Sequence, residues 1–200
     1  VGDSMSGGKP RNPAQNVQAF NKRVPVALER EQQGLAKKLR KDRYRNDPHK
    51  ALAEIYDYLD RYYAYSDGLV ACKKGCSYCC HMPVVVSQVE AEYIAKQTGI
   101  KAATIQPKNP EDIVEWVDRD KPCPFLRNDM CSIYAFRPMN CRTHVSFENS
   151  NEKCHFDSKS KIAMTDRDSS FPGVMQAFRG LLLKCGPVSG DIRDYFKATF

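Results

Sequence analysis

Four of the nine cysteines lie within residues 72–80, and this cluster constrains the fold more than any other feature of the sequence. Its spacing, C-x3-C-x2-C-C, lets thiolates converge on one metal, because a tight turn or a helix start points them the same way. Thiolates are soft ligands that suit zinc and iron–sulfur clusters. Gly75 supplies the backbone freedom that such a loop needs. The cluster therefore predicts a metal site.

The cysteine content indicates metal or redox chemistry rather than a disulfide framework. Nine is an odd number, so a fully paired intramolecular set is excluded. No secretory signal is apparent, and the longest aliphatic runs have three residues, far short of the about 20 that cross a bilayer. We therefore expect a cytoplasmic protein without a membrane span, in a compartment where disulfides rarely persist.

A second cysteine segment follows. It contains the sequence motifs PCPFL, C-x-I-Y and R-P-x-x-C-R around Cys123, Cys131 and Cys141. The two segments together hold seven thiols, more than one tetrahedral zinc ion or one [4Fe–4S] cluster takes. Either two metals are bound, or some of the thiols have another role. Adjacent side chains project in different directions in most backbone geometries. Cys79 and Cys80 are therefore expected to serve different metals, unless one of them bridges.

Charged neighbours of the cysteines could support the site. Arg137 and Arg142 lie close in sequence to the second segment. They could offset the negative charge of several thiolates through charge-assisted hydrogen bonds. His81 directly follows Cys80 and is either a ligand or a hydrogen-bond donor to sulfur.

Three residues beyond the second segment leave two interpretations open. His144, Cys154 and His155 could complete a second site, because histidine and cysteine both bind zinc. The polar composition of residues 148–160 favours an exposed loop instead. Cys185 stands apart from the other cysteines and is expected to be a buried thiol at a helix end.

The spacing of Cys72, Cys76 and Cys79 resembles the radical S-adenosylmethionine signature, which needs a partial (β/α) barrel behind the loop. Alternating strand and helix patterns do not appear in the sequence, and Cys80 stays unexplained. Residues 72–142 as a whole resemble the YkgJ-type cysteine-cluster family, described as a zinc- or iron-chelating domain. The resemblance implies one or two metal centres, holding zinc or an iron–sulfur cluster. It implies as ligands Cys72, Cys76, Cys79, Cys80, Cys123, Cys131 and Cys141.

A related group, the flagellin lysine N-methylases, shares a cysteine cluster of this type and methylates lysines with S-adenosylmethionine. An S-adenosylmethionine-dependent lysine methylase-like enzyme with an iron–sulfur centre is therefore an alternative function. The sequence offers no glycine-rich nucleotide loop between a strand and a helix. Glu90 and Glu92 fall on different faces of a helix, which does not support a two-carboxylate site. The resemblance implies metal binding and leaves the reaction open.

Helical periodicity runs through most of the chain, and convincing strands are few. We therefore expect a mainly α fold with irregular cysteine-rich loops, a small helical domain stapled by metal. Asp47 and Pro48 predict the start of a tyrosine-rich helix that ends near Tyr65, with the tyrosines packed in the core. Ser87 and Glu90 form a capping box. Further helices are predicted over residues 26–45, 87–98, 111–118 and 172–185, with a short one from Ser189.

Composition divides the chain into four parts. Glycine, serine, asparagine and proline at the start predict a flexible tail, and the charged stretch after it predicts a basic helical arm. The predicted parts are a flexible tail over 1–25, the basic arm with the tyrosine-rich helix over 26–66, the cysteine-cluster metal-binding core over 67–147, and a polar loop with C-terminal helices packing on that core over 148–200.

The net charge of +7 is concentrated in the first quarter of the chain. Residues 1–50 carry 12 lysines and arginines against 5 acidic residues, and the two kinds balance over the rest. The basic run within residues 22–45 could meet phosphates, which makes nucleic acid a candidate partner. A solvated helix face explains the same run, because Glu31 and Asp42 interrupt it. A protein partner is a further candidate, which the sequence does not identify.

Overall fold

The computed structural model describes residues 11–108, 121–155, 158, 161–165, 167–186 and 188–197. This part of the chain is mainly helical with several cysteines in loops, as the sequence predicts. The acidic helix expected over residues 111–118 lies outside the described residues. Within the described ranges, no helix has both the length and the apolar content needed to cross a bilayer.

Short strands and turns connect the helices. Strand β1 pairs antiparallel with β4, and β2 pairs antiparallel with β3. The strands are β1 (Val85–Ser87), β2 (Leu126–Arg127), β3 (Met130–Cys131) and β4 (Ser189–Asp191). The helices are α1 (Pro13–Arg23), α2 (Val26–Lys38), α3 (Asp42–Arg45), α4 (Pro48–Tyr63), α5 (Gln88–Thr98), α6 (Met139–Thr143), α7 (Arg167–Ser170), α8 (Pro172–Cys185) and α9 (Ile192–Tyr195).

Helix α4 forms the centre of the larger hydrophobic core. Its start is the one predicted, because the Asp47 side chain accepts a hydrogen bond from the Lys50 backbone nitrogen at 3.0 Å and Pro48 occupies the first turn. The tyrosines of this helix pack in the core, as expected, whereas Tyr65 beyond its end is 37% exposed. The buried face of the helix consists of Ala51, Leu52, Ile55, Tyr56, Tyr58, Leu59, Tyr62 and Tyr63.

Helix α1 corrects the expectation of a flexible tail over residues 1–25, as far as the structure describes that part. A capping box starts the helix, since Asn12 and Gln15 each accept a hydrogen bond from the other's backbone nitrogen at 2.9 Å. Phe20 is fully buried, and its ring centroid lies 5.1 Å from that of Tyr62. This aromatic contact ties α1 to the core, and local composition does not reveal it.

The basic segment expected as an arm is part of the body of the protein. Leu28 and Leu35 of α2 are buried in the larger core, where α2 packs along α8. The two helices approach so closely that a Cβ atom at Gly173 would lie 2.0 Å from the carbonyl oxygen of Gln32. Leu28 and Leu35 are thus covered, and the charged residues of α2 lie on its exposed side.

A smaller hydrophobic cluster surrounds the cysteine segments. Helix α5 starts at the predicted capping box of Ser87 and Glu90 and ends at Gly99, whose φ of 74° is left-handed. The antiparallel pairing places Val86 of β1 opposite Gly190 of β4. The cluster is built from Val84, Val86, Ala91, Ile94, Cys123, Phe125, Ile133, Ile192, Tyr195 and Phe196.

The polar segment expected as an exposed loop over residues 148–160 is held against the body where it is described. Glu148 is buried and accepts hydrogen bonds from Lys153 Nζ at 2.9 Å and from the Ala163 backbone nitrogen at 3.0 Å. Cys154 lies in a short 3-10 turn, Glu152–Cys154, and is 6% exposed. The interpretation of Cys154 as part of an exposed loop is therefore wrong.

Candidate metal centre

The first cysteine cluster lies in the chain between α4 and β1. Its opening turn contains Gly75 at a φ of 83°, the left-handed region that favours glycine. A 3-10 turn, Tyr78–His81, then carries Cys79 and Cys80. The sequence predicts this shape, a glycine-dependent loop that leads into a short helical turn.

The second segment combines a hairpin with a short helix. Asn128 and Asp129 form the two-residue turn between β2 and β3, with φ values of 47° and 56°. Positive φ at both central residues is typical of tight hairpin turns that match the twist of the strands. The hairpin places Cys131 on β3, and α6, which begins after Pro138, carries Cys141.

A backbone hydrogen bond joins the two cysteine segments. The Cys123 nitrogen donates to the Cys80 carbonyl oxygen at 2.7 Å. Arg193, in α9, donates to the same oxygen at 3.1 Å and to the carbonyl oxygens of Lys121 at 2.8 Å and Met82 at 3.3 Å. One guanidinium therefore holds main-chain groups of both segments. No sequence signal marks Arg193 for this role, because the contact is long-range.

A first group of thiols gathers near Cys72. The residue is exposed overall, but desolvation of its sulfur raises the pKa of Cys72, and negative charge on nearby thiols raises it further. The Ser146 nitrogen donates to Cys72 Sγ at 3.4 Å, and Asn151 Nδ2 donates to Cys76 Sγ at 3.6 Å. Hydrogen bonds to sulfur of this kind orient metal ligands. The members of the first group are Cys72, Cys76, Cys79 and Cys154.

A second group of thiols lies against the smaller hydrophobic cluster. Burial raises the pKa of Cys123 to about 11 and raises that of Cys141 well above its ordinary value. Negative charge on Cys131 raises both further, and burial raises the pKa of Cys131 itself. Without metal these thiols are neutral, which suits their apolar surroundings. The members of the second group are Cys80, Cys123, Cys131 and Cys141.

Cys79 lies between the two groups. The Cys80 thiol donates a hydrogen bond to Cys79, which lowers the pKa of Cys79 to about 7 and raises the pKa of Cys80. A charge on Cys79 also acts on Cys72 of the first group and on Cys141 of the second. Adjacent side chains project apart in most backbone geometries, but in this 3-10 turn the Cys80 thiol reaches that of Cys79.

The donor set suits a soft metal, since every one of the nine cysteines is a free thiol. Eight of them fall into the two groups, and each group contains enough sulfur for a tetrahedral zinc ion or an iron–sulfur cluster. Among the described residues, no three histidine, cysteine or carboxylate side chains are grouped tightly enough to hold one ion. Cys185, the last residue of α8, is half-buried and belongs to neither group.

The two arginines expected to offset thiolate charge have different surroundings. The positive charge of Arg137 opposes the rise in pKa that burial causes at Cys131 and Cys141. Arg142 is 1% exposed, pairs with Asp60 and donates to two backbone carbonyl oxygens. Arg137 acts on these thiols through its charge, while its guanidinium also lies 3.8 Å from an Asp60 carboxylate oxygen. The role expected of Arg142 is corrected, because its donors are used to hold α6 against α4.

A cavity of about 240 Å³ lies beside the second thiol group. Cys79 and Cys141 line it together with His144 and the thioethers of Met82 and Met164. Thiol, thioether and imidazole groups are the donors that soft metals prefer. His144 is thus the histidine that the structure places beside these thiols.

The other two histidines considered as ligands lie at the edge of the first segment. His81 ends the 3-10 turn that carries Cys79 and Cys80. The His155 ring lies next in sequence to Cys154 and packs against Tyr78 with a centroid separation of 5.3 Å. Both are close in sequence to the thiols, but neither lines the cavity.

Glu90 supports the site through hydrogen bonds to residues of two other helices. It is 2% exposed, and besides capping its own helix it accepts hydrogen bonds from Tyr56 Oη at 2.8 Å and the Met139 nitrogen at 2.7 Å. The bond to Met139 fixes the first turn of α6, which carries Cys141. The capping box predicts the local role of Glu90, whereas its links to α4 and α6 are not predictable from the sequence.

Comparison with known proteins identifies the cysteine segments. Residues 71–159 match the model of a family described as CxxCxxCC, putative zinc- or iron-chelating domain. No curated protein and no solved structure matches the chain. The matched range contains all eight grouped cysteines, including Cys154, and excludes Cys185. The family model thus covers residues 71–159, as their resemblance to the YkgJ-type cysteine cluster predicts.

Proposed function

We propose that this protein binds zinc or iron in two thiolate centres within residues 71–159, with Cys79 between them. The family description supports zinc or iron chelation, and the pattern of mutual charge effects among the sulfurs supports the division into two. A single tetrahedral ion takes four ligands, so it would leave three of seven or four of eight thiolates without metal. The first centre uses Cys72, Cys76 and Cys154, the second uses Cys80, Cys123, Cys131 and Cys141, and Cys79 completes the first or bridges both.

The chain's own residues prepare these sulfurs for a metal. Main-chain and side-chain N–H groups at Ser146 and Asn151 orient the sulfurs of Cys72 and Cys76. Arg137 offsets part of the negative charge that several thiolates accumulate. A bound zinc ion would supply Lewis acidity or structural support, and an iron–sulfur cluster would supply electron transfer. A cytoplasmic, reducing environment would keep these thiols available for metal.

The methylase-like alternative has weaker support. The cavity beside Cys79 has a volume of about 240 Å³, below the about 300–1,000 Å³ of pockets that enclose drug-sized ligands. S-adenosylmethionine is a ligand of that larger class. Calorimetry of the metal-loaded chain with S-adenosylmethionine tests this alternative, and we expect no binding heat.

Nucleic-acid binding through residues 22–45 is a second candidate, because the outer face of α2 and α3 exposes lysine and arginine side chains. Since these helices are part of the core, charge reversal is a better test than deletion. We expect the double variant Lys37→Glu, Lys41→Glu to fold normally. If this face binds a single-stranded oligonucleotide, the variant weakens binding and flattens its dependence on salt. Unchanged affinity and salt dependence would contradict this role.

Alkylation mapped by mass spectrometry tests the metal-binding proposal residue by residue. The chain is purified without oxygen and treated with iodoacetamide before and after a chelator. We expect Cys185 to be alkylated in both states and the eight grouped cysteines only after chelation. Metal analysis of the same sample distinguishes zinc from iron with sulfide. Equal alkylation of the grouped cysteines in both states would contradict the proposal.

A further inference from the structure

A second and larger cavity is lined by residues outside the two thiol groups. It has a volume of about 640 Å³ and is bounded by α2, α3, α4 and α8. None of the nine cysteines lines it. Its volume falls within the about 300–1,000 Å³ that is typical of small-molecule sites. The metal-binding proposal therefore does not account for this cavity.

Small and aliphatic side chains form the floor of the cavity. Leu39 of the α2 end and Leu181 of α8 supply aliphatic surface, while Ala36 and Ala177 leave the space between the helices unfilled. Leu183 at the rim is 87% exposed, which is unusual for a leucine of a well-packed helix. Ala177 and Leu181 also belong to the larger hydrophobic core, so the floor is apolar surface at the edge of that core.

Gly180 opens one wall of this cavity. It lies in the interior of α8, where glycine is among the least favourable residues. A Cβ atom added there would meet no atom within 4 Å, so packing inside the protein does not require glycine at this position. Glycine is the residue that lets a ligand approach the backbone closely.

The rim of the cavity is cationic. Arg40, Arg45, Arg179 and Lys184 line it, and no acidic residue does. Over the described ranges, no ion pair engages Arg40, Arg45 or Lys184. Their positive charges thus lie around an apolar hollow without an internal counter-charge.

The polar side chains next to the cavity are paired within the protein, unlike the three cations at its rim. Lys38 pairs with Glu54, and Glu54 also accepts a hydrogen bond from Tyr44 Oη at 2.6 Å. Arg43 donates to the same hydroxyl at 2.8 Å. Tyr44 therefore presents its ring to the cavity while its hydroxyl is held elsewhere.

The cavity is too short for a stable protein interface. The α8 residues that line it span 176–184, which is about 13 Å of helix. A stable protein interface engages roughly 20–30 residues on each side. A nucleic-acid groove would need stacking surfaces and a track of charge rather than a floor of leucine and alanine. A small amphiphilic ligand fits both the apolar floor and the cationic rim.

We propose that this cavity binds a single-chain amphiphile with an anionic head group. The aliphatic chain lies along Leu39, Ala177 and Leu181, and it passes the open wall at Gly180. The head group meets the cations at the rim, Arg40, Arg45 and Lys184. The division of an apolar floor from a charged rim matches the division of such a ligand into tail and head.

Calorimetry with dodecanoate tests this proposal on the full chain as purified, below the concentration at which micelles form. Dodecanol removes the charge, and acetate removes the tail. We expect saturable binding of dodecanoate and affinities lower by about tenfold or more for the other two, as the loss of one binding element from a pocket predicts. No binding of dodecanoate, or equal binding of dodecanol, would overturn the proposal.

Two matched glycine variants locate the site. Gly180→Leu fills the cavity, and Gly34→Leu places the same side chain on the exposed face of α2, where an added Cβ also meets nothing within 4 Å. Both variants replace a helix glycine with a better helix former. We expect only Gly180→Leu to weaken dodecanoate binding, by about tenfold or more. Equal affinities of the two variants would place any binding elsewhere and overturn the proposal.

Two further measurements distinguish the free amphiphile from larger partners. Vesicles of anionic phospholipid test a bilayer surface, and an acidic amphipathic peptide tests a protein segment. We expect dodecanoate to displace a fluorescent fatty acid from the protein. We expect neither the vesicles nor the peptide to displace it. Competition by either of them without competition by dodecanoate would overturn the assignment.

Discussion

The Arg193 guanidinium donates a hydrogen bond to the carbonyl oxygen of Cys80 at 3.1 Å. The same side chain reaches the carbonyl oxygen of Lys121 at 2.8 Å, just before Cys123. A residue that follows the family segment 71–159 therefore holds the main chain of both cysteine segments. The C-terminal part of the chain thus supports the candidate metal centre.

This arrangement predicts that Arg193→Lys weakens metal binding. Lysine keeps the positive charge but cannot supply the planar set of donors that reaches several carbonyl oxygens at once. We expect metal affinity to fall by about 10–100-fold, as is typical when a group that orients ligands is lost. Competition with a chromophoric chelator measures the affinity. Arg30→Lys, on the exposed face of α2, is the matched control, and equal affinities of the two variants would contradict the role of Arg193.

A second prediction concerns Cys154, which the structure places with Cys72 and Cys76. Cys154→Ser removes a proposed ligand of the first centre and leaves the second complete. We expect the metal content to fall by about half or the affinity of one centre to fall by more than the roughly 10–100-fold of an outer-shell change. Cys185→Ser is the control, because Cys185 belongs to neither thiol group. Full metal content with unchanged affinity in Cys154→Ser would remove Cys154 from the site.

A third prediction separates the metal from the aromatic core. Residues such as Phe20, Leu52 and Tyr58 are buried in a core that contains no thiol of either group. Metal binding contributes directly to folding where the metal organises the chain. We therefore expect chelation to remove hydrogen-exchange protection from the cysteine segments, including β1, while α4 and α8 stay protected.

Two outcomes of the same hydrogen-exchange experiment would contradict this prediction. Unchanged protection after complete metal removal would show that the metal does not organise the cysteine segments. Simultaneous loss of protection in α4 and α8 would show that the aromatic core depends on the metal. Cys76→Ser, which removes a proposed ligand without a chelator, should give the same local pattern as chelation.

A fourth prediction concerns Glu90. Its carboxylate accepts hydrogen bonds from Ser87, Tyr56 and Met139. In Glu90→Gln an NH₂ group faces some of these donors, so a buried polar group is left unsatisfied. We expect the free energy of unfolding to fall by about 1–3 kcal/mol, measured by urea denaturation of the metal-loaded chain. Glu92→Gln, whose carboxylate is half-exposed, should change it by less than about 0.5 kcal/mol. Equal effects would contradict this account.

Local features of the fold are predictable from the sequence where a short sequence motif determines the backbone conformation. The S-x-x-E word at Ser87 and Glu90 and the Asp47-Pro48 pair each predict a helix start. Gly75 predicts the loop of the first cluster in the same way. In each case the hydrogen bond or dihedral involved joins residues within one turn, so composition and spacing contain the information.

Features that depend on long-range packing are not predictable in this way. Phe20 lies in a segment with a polar composition, yet its ring is fully buried in the core. Cys154 follows a polar stretch, and only the fold brings it to Cys72 and Cys76. Arg142 and Arg137 look equivalent in the sequence, but only Arg142 is buried, with its donors used by Asp60 and two backbone carbonyl oxygens.

Metal analysis with an absorption spectrum, on the full chain purified without oxygen, tests the central claim most directly. We expect bound metal in the amount of two centres, either two zinc ions in colourless protein or iron with sulfide and the broad visible absorption of an iron–sulfur cluster. The metal should be lost when a proposed ligand such as Cys76 or Cys123 is replaced by serine. A folded protein without zinc or iron, which gains none on anaerobic reconstitution, would contradict the account.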